Sequence, residues 1–178
     1  MITRFKILIK WLFILMYAIL IKHIPSNNCP DSFVVRLRVA VLKIRMKSCG
    51  RNVNIQPGVT IENLNNFSIG NNSGLGRNSY IRALAPVTFG NDVMVGPELH
   101  VYTTSHYHKI GVPMNTQGGF MNPVIVKDDV WIGARVTLLQ GVTVESGCVI
   151  AAGAVVNRST KPNGIYGGVP ARRLRDRT

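Results

Sequence analysis

Several residue types are scarce in this chain of 178 residues. Its 3 cysteines include no Cys-x-x-Cys pair, so neither a disulfide framework nor a zinc site is indicated, and a reducing compartment is the simpler assumption. Only 16% of the residues are charged and 46% are apolar, which argues against intrinsic disorder. The longest apolar run, Trp11 to Ile21, would span about 16 Å as a helix, about half of a hydrocarbon core. A membrane-spanning helix is therefore not expected.

Positive charge is abundant but unevenly distributed. Residues 1–51 carry a net charge of +9, residues 52–156 of −1 and residues 157–178 of +5, which together give +13. A near-neutral body with basic ends is not typical of nucleic-acid binding, for which a uniformly basic surface is expected. We expect instead two anionic partners, one at each end, with basic ends kept for solubility as the alternative.

Residues 1–51 form a leader that combines an apolar helical run with basic flanks. A signal peptide is not favoured, because no small-residue cleavage site follows Leu20. Two interpretations of the helix stay open: it lies in a membrane interface with its basic side chains near acidic headgroups, or it packs against a partner subunit. The basic side chains at its ends are Arg4, Lys6, Lys10 and Lys22.

The stretch from Phe33 to Lys47 predicts a second helix. Its apolar residues recur at spacings of three and four, at Val34, Leu37, Val41 and Ile44. Arg38 and Arg45 fall on that apolar side, where they could snorkel or reach phosphates. Alternating apolar residues between Phe33 and Val41 keep a strand as the minority alternative.

From Asn52 onward the sequence repeats with a period of six, and residues 52–178 are therefore expected to form one repeat domain with a basic C-terminal tail. Aliphatic residues recur without a break at Val126, Ile132, Leu138, Val144, Ile150 and Val156. A six-residue period predicts a parallel β-helix, in which each coil uses its neighbours as its core. Cys148 occupies a corner position of the pattern, which favours a small core residue over a nucleophile.

The period, followed by Asp-Asp-Val-Trp-Ile-Gly (Asp128 to Gly133) and Gly-Gly-Val-Pro-Ala-Arg (Gly167 to Arg172), resembles the hexapeptide-repeat acyltransferases. The resemblance is strongest to sugar O-acetyltransferases similar to the maltose, galactoside, capsule and O-antigen enzymes. It implies a mainly β fold, a left-handed parallel β-helix with N-terminal helices and a protruding loop. It also implies a homotrimer with clefts between adjacent prisms, and acetyl-CoA as the cosubstrate.

The period fails between Thr103 and Pro123, where the family carries its catalytic loop. This loop begins Thr103-Thr104-Ser105-His106, which matches the family's Thr-x-x-His signature and makes His106 the predicted general base. A neutral imidazole can accept the proton of an attacking hydroxyl. His108 is the alternative. The loop holds no Asp or Glu, so the group that orients the imidazole is expected elsewhere: Glu98, the neighbouring chain or a backbone carbonyl.

Binding residues also follow from the resemblance. Small side chains would leave backbone groups free for the pantetheine arm, and basic side chains near the C-terminus would meet the nucleotide phosphates. The acetyl-CoA residues are predicted to be Ala134, Ala152, Asn157, Arg158, Arg172 and Arg175. Gly76 stands where the sugar acetyltransferases have an acceptor-binding asparagine, so we expect Asn78 or Arg82 to hold the acceptor. Trp131 is interpreted as a packing residue.

The sequence thus predicts an acyltransferase that transfers an acetyl group directly to a sugar hydroxyl of a polysaccharide precursor, with a lipid-linked acceptor. Its predicted place is the cytoplasm, peripheral at the inner face of the membrane. Alternatives are a soluble-sugar, serine or antibiotic acetyltransferase, a non-catalytic scaffold, or a protein similar to the γ-carbonic anhydrases. The last is disfavoured because His100 and His106 lack that enzyme's histidine spacing, and no metal is expected.

Overall fold

The computed structural model describes residues 12–26 and 29–178; Trp11, Arg4, Lys6 and Lys10 of the predicted leader helix lie outside them. Helix α1 is described over residues 12–19 and α2 spans Phe33–Lys43. Single 3-10 turns lie at Ile21–His23, Leu64–Asn66 and Met114–Thr116. The strands are β1 Ser48–Cys49, β2 Asn54–Ile55, β3 Thr60–Glu62, β4 Phe67–Ile69, β5 Gly74–Leu75, β6 Tyr80–Arg82, β7 Val87–Phe89, β8 Met94–Val95, β9 His100–Tyr102, β10 Thr104–His106, β11 Gly119–Met121, β12 Val124–Val126, β13 Trp131–Ile132, β14 Thr137–Leu138, β15 Thr143–Val144, β16 Val149–Ile150, β17 Val155–Val156, β18 Gly164–Gly167 and β19 Arg172–Asp176.

Successive groups of three short strands stack as the coils of a three-sided parallel β-helix. Face 1 contains β1, β4, β7, β12 and β15; face 2 contains β2, β5, β8, β13, β16 and β18; face 3 contains β3, β6, β9, β14 and β17. Strands of neighbouring coils pair in parallel and in register, as Ile69 does with Phe89 and Val126 with Val144. The prediction of a mainly β fold built as a parallel β-helix is confirmed.

The aliphatic residues of the period fill the interior of the prism. The six aliphatic residues that recur at every sixth position from Val126 to Val156 are at most 1% exposed, and Cys148 is fully buried at its corner. Because side chains alternate along a strand, the residue next to a buried aliphatic residue in the same strand points outward. Each buried side chain of this size stabilises the fold by roughly 1.5–3 kcal/mol before ordering costs are counted. The same spacing runs through Ile55, Ile61 and Phe67 and through Phe89, Val95 and Val101; of these, Ile61 and Val95 are partly buried and the others are buried.

Side-chain oxygens join the coils at the corner between faces 1 and 2. Asn71 accepts the N–H of Arg51 at 2.9 Å, and Asn91 accepts the N–H of Asn71 at the same distance. Asp128 continues the series by accepting the N–H of Asn91 at 2.7 Å. The corner thus satisfies N–H groups that the sharp turns leave unpaired.

Helix α2 forms where the sequence predicts it, but it ends at Lys43, four residues earlier than expected. The chain then joins the prism, where the N–H of Lys47 bonds the carbonyl of Phe67 at 3.0 Å. The buried face is also rotated from the predicted one. It comprises Val35, Arg38, Val41 and Leu42, whereas Ile44 is exposed.

Arg38 neither snorkels nor reaches toward a phosphate, so both predictions for it were wrong. Its side chain is fully buried, and the guanidinium donates to the carbonyls of Ile21 at 3.3 Å and Ile55 at 3.2 Å, and to that of Ile24. Burial lowers the pKa of Arg38, because desolvation penalises its charged form. Arg38 therefore joins α2 to the segment that follows α1 and to the first coil.

The inner side of α1 packs on the prism of its own chain. Tyr17 is buried there, and its hydroxyl donates to the carbonyl of Val59 at 2.7 Å. The outer side leaves Leu12, Leu15 and Ile19 exposed. Among the described residues, no helix has the length and apolar character needed to cross a bilayer.

Candidate active site

The predicted loop is a protruding hairpin of β10 and β11 between the third and fourth coils, in which His106 pairs with Gly119. Its base is anchored by Thr103, which is fully buried. The Thr103 hydroxyl donates to the carbonyl of Arg82 at 2.9 Å and accepts the N–H of Ala85 at 3.0 Å. These bonds give the threonine of the Thr-x-x-His sequence a physical role: they fix the point from which the strand carrying His106 leaves the prism.

The far end of the loop is held by Gln117. Its amide donates to the carbonyls of Lys109 at 2.9 Å and Val112 at 2.7 Å, and its oxygen accepts the N–H of Lys109 at 2.7 Å. The rings of Tyr107 and Phe120 lie 5.4 Å apart across the hairpin. The loop is therefore an ordered projection with its own internal bonds.

His106 itself is exposed to solvent. Within residues 12–26 and 29–178, its ring has no hydrogen-bond partner, and Nδ1 of His108 lies 3.3 Å from the His106 carbonyl oxygen. Within the described part of the chain, Glu98 forms no hydrogen bond with the His106 ring and pairs with Arg135 at 3.0 Å. Of the predicted sources, the neighbouring chain and a backbone carbonyl remain.

A column of small residues runs along the corner between faces 2 and 3. A Cβ on Gly96 would lie 2.7 Å from the nitrogen of Ala134, and one on Gly133 would lie 2.6 Å from that of Ala152. The backbone N–H groups of Ala134 and Ala152 donate no hydrogen bond within the described part of the chain. A corner with close-packed backbone and spare N–H donors fits a narrow ligand that carries carbonyl groups, as the pantetheine arm does.

The C-terminal residues form an antiparallel hairpin of β18 and β19 that caps face 2. Arg158 and Arg172 line one cleft there, with a volume of about 160 Å³. Arg175 is exposed on β19, and Asn157 is exposed directly after β17. The structure therefore brings Arg158 and Arg172 together, with Asn157 adjacent in sequence to Arg158.

The other two arginines near the C-terminus form ion pairs within the protein. Arg173 pairs with Asp176, and the guanidinium of Arg177 pairs with the carboxylate of Asp129 at 2.7 Å. Among the described side chains, Arg175 has no acidic partner. The three arginines predicted as phosphate ligands, Arg158, Arg172 and Arg175, thus form no ion pair among the described residues.

The predicted acceptor residues lie on either side of β6 on face 3, since Asn78 precedes this strand and Arg82 is its last residue. Asn78 is exposed in a left-handed corner turn with φ of 56°. Arg82 is paired with Glu62 at 3.5 Å, which reduces its availability for a ligand. The other oxygen of Glu62 accepts the hydroxyl of Tyr80 at 2.5 Å, and this hydrogen bond raises the pKa of Tyr80.

Trp131 is a residue whose exposure the sequence interpretation missed. Its side chain is 53% exposed on the outside of β13, so it does not pack inside the prism of its own chain. Strand alternation carried the signal, because Ile132 points into the prism and its neighbour must therefore point out.

Comparisons with known proteins identify the family. The family described as bacterial transferase hexapeptide (six repeats) matches residues 123–158. The galactoside O-acetyltransferase of Escherichia coli (strain K12) is 30% identical over 152 residues, which cover 80% of this chain and 70% of that protein. A relative from Schizosaccharomyces pombe, named as an acetyltransferase, is 40% identical over 92 residues, and the chain spans 44% of its length.

Solved structures agree with this assignment. A hexapeptide-repeat acetyltransferase from Vibrio cholerae O1 biovar eltor, complexed with acetyl coenzyme A, superposes with a TM-score of 0.76 at 31% identity, covering 84% of this chain and 81% of that one. A galactoside acetyltransferase in complex with coenzyme A gives 0.78 at 26% identity, covering 96% and 80%. The predicted left-handed β-helix and the predicted enzyme class are confirmed: the chain belongs to the hexapeptide-repeat acetyltransferases.

Proposed function

We propose that this protein is an acetyl-CoA-dependent sugar O-acetyltransferase, with His106 as its general base and a polysaccharide precursor as its acceptor. The observation that carries the proposal is the exposed His106 on a hairpin anchored by the buried Thr103, in a chain of this family. The name of the Escherichia coli relative, galactoside O-acetyltransferase, supports a sugar acceptor.

Acetyl transfer to a hydroxyl requires removal of the hydroxyl proton as its oxygen attacks the carbonyl carbon. In the proposed mechanism, the imidazole of His106 accepts this proton and returns it to the departing thiolate, so no covalent enzyme intermediate forms. Bound acetyl-CoA supplies an activated acetyl group as a thioester. Backbone N–H donors at the Ala134 corner stabilise the negative charge that develops on the oxygen of the acetyl carbonyl, or they bind the amide carbonyls of the pantetheine arm.

The acetyl-CoA site extends from this corner to the C-terminal hairpin. Ala134 and Ala152 contribute backbone donors, while Asn157, Arg158, Arg172 and Arg175 contribute polar and basic groups for the phosphates and adenine. Guanidinium groups suit phosphate oxygens because they donate two parallel hydrogen bonds. Asn78 and Arg82 are the proposed acceptor contacts.

The test of the proposed base compares the two histidines of the loop. His106→Ala should lower kcat for acetyl transfer to a sugar by about 10²–10⁴-fold, with little change in the affinity for acetyl-CoA. His108→Ala should have a much milder effect. Equal losses in the two variants would contradict the assignment within the loop.

We further propose a homotrimer in which His106 of one copy completes a cleft of the next. The loop exposes Ile110, Val112 and Met114, apolar side chains that a neighbouring copy would cover. His106→Ala and Ala152→Trp should each inactivate the enzyme, and mixed oligomers of the two should regain activity because some clefts combine two intact halves. Light scattering that reports a stable, active monomer would contradict this assembly.

The proposed location is the cytoplasmic membrane surface, where the acceptor is attached to a lipid. The exposed side of α1 supports this, since Leu12, Leu15 and Ile19 face solvent on a leader with a net charge of +9. Leu15→Asp with Ile19→Asp should abolish cosedimentation with phosphatidylglycerol vesicles and preserve transfer to a water-soluble sugar. Unchanged vesicle binding in this variant would contradict the role of α1, and a wild-type protein that ignores the vesicles would favour subunit packing of the exposed face.

A further inference from the structure

The outer surface of face 2 carries one continuous row of outward residues. Asn54 pairs with Gly74, Met94 pairs with Trp131, and the N–H of Gly74 bonds the carbonyl of Val93 at 3.0 Å, which joins the two halves of the row. Met94 is 61% exposed and Trp131 is 53% exposed. The row therefore combines an apolar ledge with an adjacent gap at Gly74, where no side chain projects.

Two hollows flank Met94 on this face. One has a volume of about 230 Å³ and includes Asn52, Asn54 and Asn72 in its lining, with Gly74 and Met94. The other has a volume of about 120 Å³ and includes Asp92, Asp129 and Trp131, again with Met94. We call the two hollows and the ledge between them the face 2 groove.

Hydrogen-bonding groups line one side of this groove. The side-chain amide of Asn52 donates to Asn72 at 3.2 Å, and that of Asn72 donates to Asp92 at 3.0 Å. A side-chain amide carries two N–H groups and an oxygen with two acceptor positions, so these bonds use only part of its capacity. The row can therefore exchange further hydrogen bonds with neutral donors and acceptors.

The charges of the groove exclude an anionic ligand as its natural occupant. Its lining among the described residues contains one basic side chain, Arg177, and that guanidinium is paired with Asp129. A phosphate would meet Asp92 and amides but no available cation. An exposed indole, a thioether and a row of amides suit instead a ligand with apolar C–H faces and many hydroxyls.

We propose that the face 2 groove binds a neutral segment of the acceptor saccharide, with sugar rings on Trp131 and Met94 and hydroxyls on the Asn52–Asn72–Asp92 row. This rests on the proposed function and deepens it: the acceptor is an oligosaccharide whose residues beyond the acetylated one are held on the flat face of the prism. Trp131 is then a specificity-determining residue for chain length.

Equilibrium binding tests the groove independently of catalysis. Chitotetraose, maltotetraose and galactotetraose would be titrated into the full-length protein by calorimetry and by tryptophan fluorescence, each against its monosaccharide. At least one tetrasaccharide should bind at least tenfold more tightly than its monosaccharide. Trp131→Leu should weaken that binding about tenfold, Trp131→Phe should restore most of it, and Met94→Ala should weaken it severalfold.

Ile125→Ala is the matched control, because Ile125 is a partly exposed apolar residue that points outward from β12 on face 1. It should bind the tetrasaccharides as the wild type does. Loss of acetyl transfer in His106→Ala with the titrations unchanged would separate the groove from the chemistry. The inference is overturned if no tetrasaccharide binds, if Trp131→Leu binds as tightly as the wild type, or if Trp131→Leu weakens coenzyme A binding alone.

Discussion

The buried hydroxyl of Thr103 donates to the carbonyl oxygen of Arg82 at 2.9 Å, which connects the base of the His106 hairpin to the neighbouring coil. The same hydroxyl accepts the N–H of Ala85 at 3.0 Å. Thr103 lies only three residues before His106, so a shift of its backbone moves the proposed base.

Thr103→Val should therefore act on both stability and turnover. Valine keeps the shape but leaves a buried N–H and carbonyl without the hydroxyl, which should lower the free energy of unfolding by about 1–3 kcal/mol. We expect kcat to fall about tenfold while the KM for acetyl-CoA stays constant, since a displacement of about 1 Å is costly in catalysis. Urea unfolding and steady-state kinetics measure the two effects.

Thr103→Ser is the control for this change, because it restores the hydroxyl and should recover most of the kcat. If the serine variant is as slow as the valine variant, the hydrogen bonds of the hydroxyl are not sufficient to position the loop, which would contradict this prediction.

The free arginines at the C-terminal end should set the affinity for acetyl-CoA. Arg172→Ala and Arg175→Ala should each raise the KM for acetyl-CoA about tenfold, because each removes a charge-assisted contact to phosphate, and the effect should shrink in high salt. Lys127→Ala removes the same charge from an exposed ion pair with Glu145 and should change this KM less than twofold. Equal increases in this KM in all three variants would show that only the net charge of the protein affects the binding of acetyl-CoA.

Arg38 should be the main attachment of the leader to the prism. Arg38→Met removes the donor from buried carbonyls of Ile21 and Ile55 and should lower the free energy of unfolding by about 3 kcal/mol. Trypsin should then cut more quickly after Lys22. Arg36→Met, an exposed position on the same helix, should change stability by less than about 0.5 kcal/mol. Similar values for both variants would remove Arg38 from this role.

Tyr17 should make the packing of α1 sensitive to alkali. Its burial raises the pKa well above the ordinary tyrosine value, so the unfolded tyrosine loses its proton at a lower pH than the folded one. The stabilisation is fully present below about pH 10 and is lost as pH rises from there toward the folded pKa. Unfolding measured between pH 8 and 11 should show this loss.

Tyr17→Phe provides the comparison. It should cost about 1 kcal/mol at pH 8 by removing the bond to Val59, and its stability should fall less steeply above pH 10. Parallel pH profiles for the wild type and the variant would mean that other groups cause the alkaline transition.

The sequence by itself determined the prism and the position of its loop. Each short strand places one aliphatic residue, such as Ile132 or Leu138, in the interior of the prism. Because these residues recur at every sixth position, the fold can be read directly from the sequence. The loop that carries His106 can be located in the sequence for the same reason, because the six-residue period stops where the loop begins.

Only the tertiary structure decided which polar and aromatic side chains are free to contact a ligand. Helical periodicity places Arg38 on an apolar face, but the carbonyls that hold it come from the leader and the first coil, 14 to 17 residues away. Arg173 and Arg175 look alike in sequence, yet the ion pair with Asp176 occupies the first of them. Trp131 and Met94 are 37 residues apart and become neighbours because the loop between their coils projects outward. Such long-range pairings leave no local period, so they cannot be inferred from one sequence.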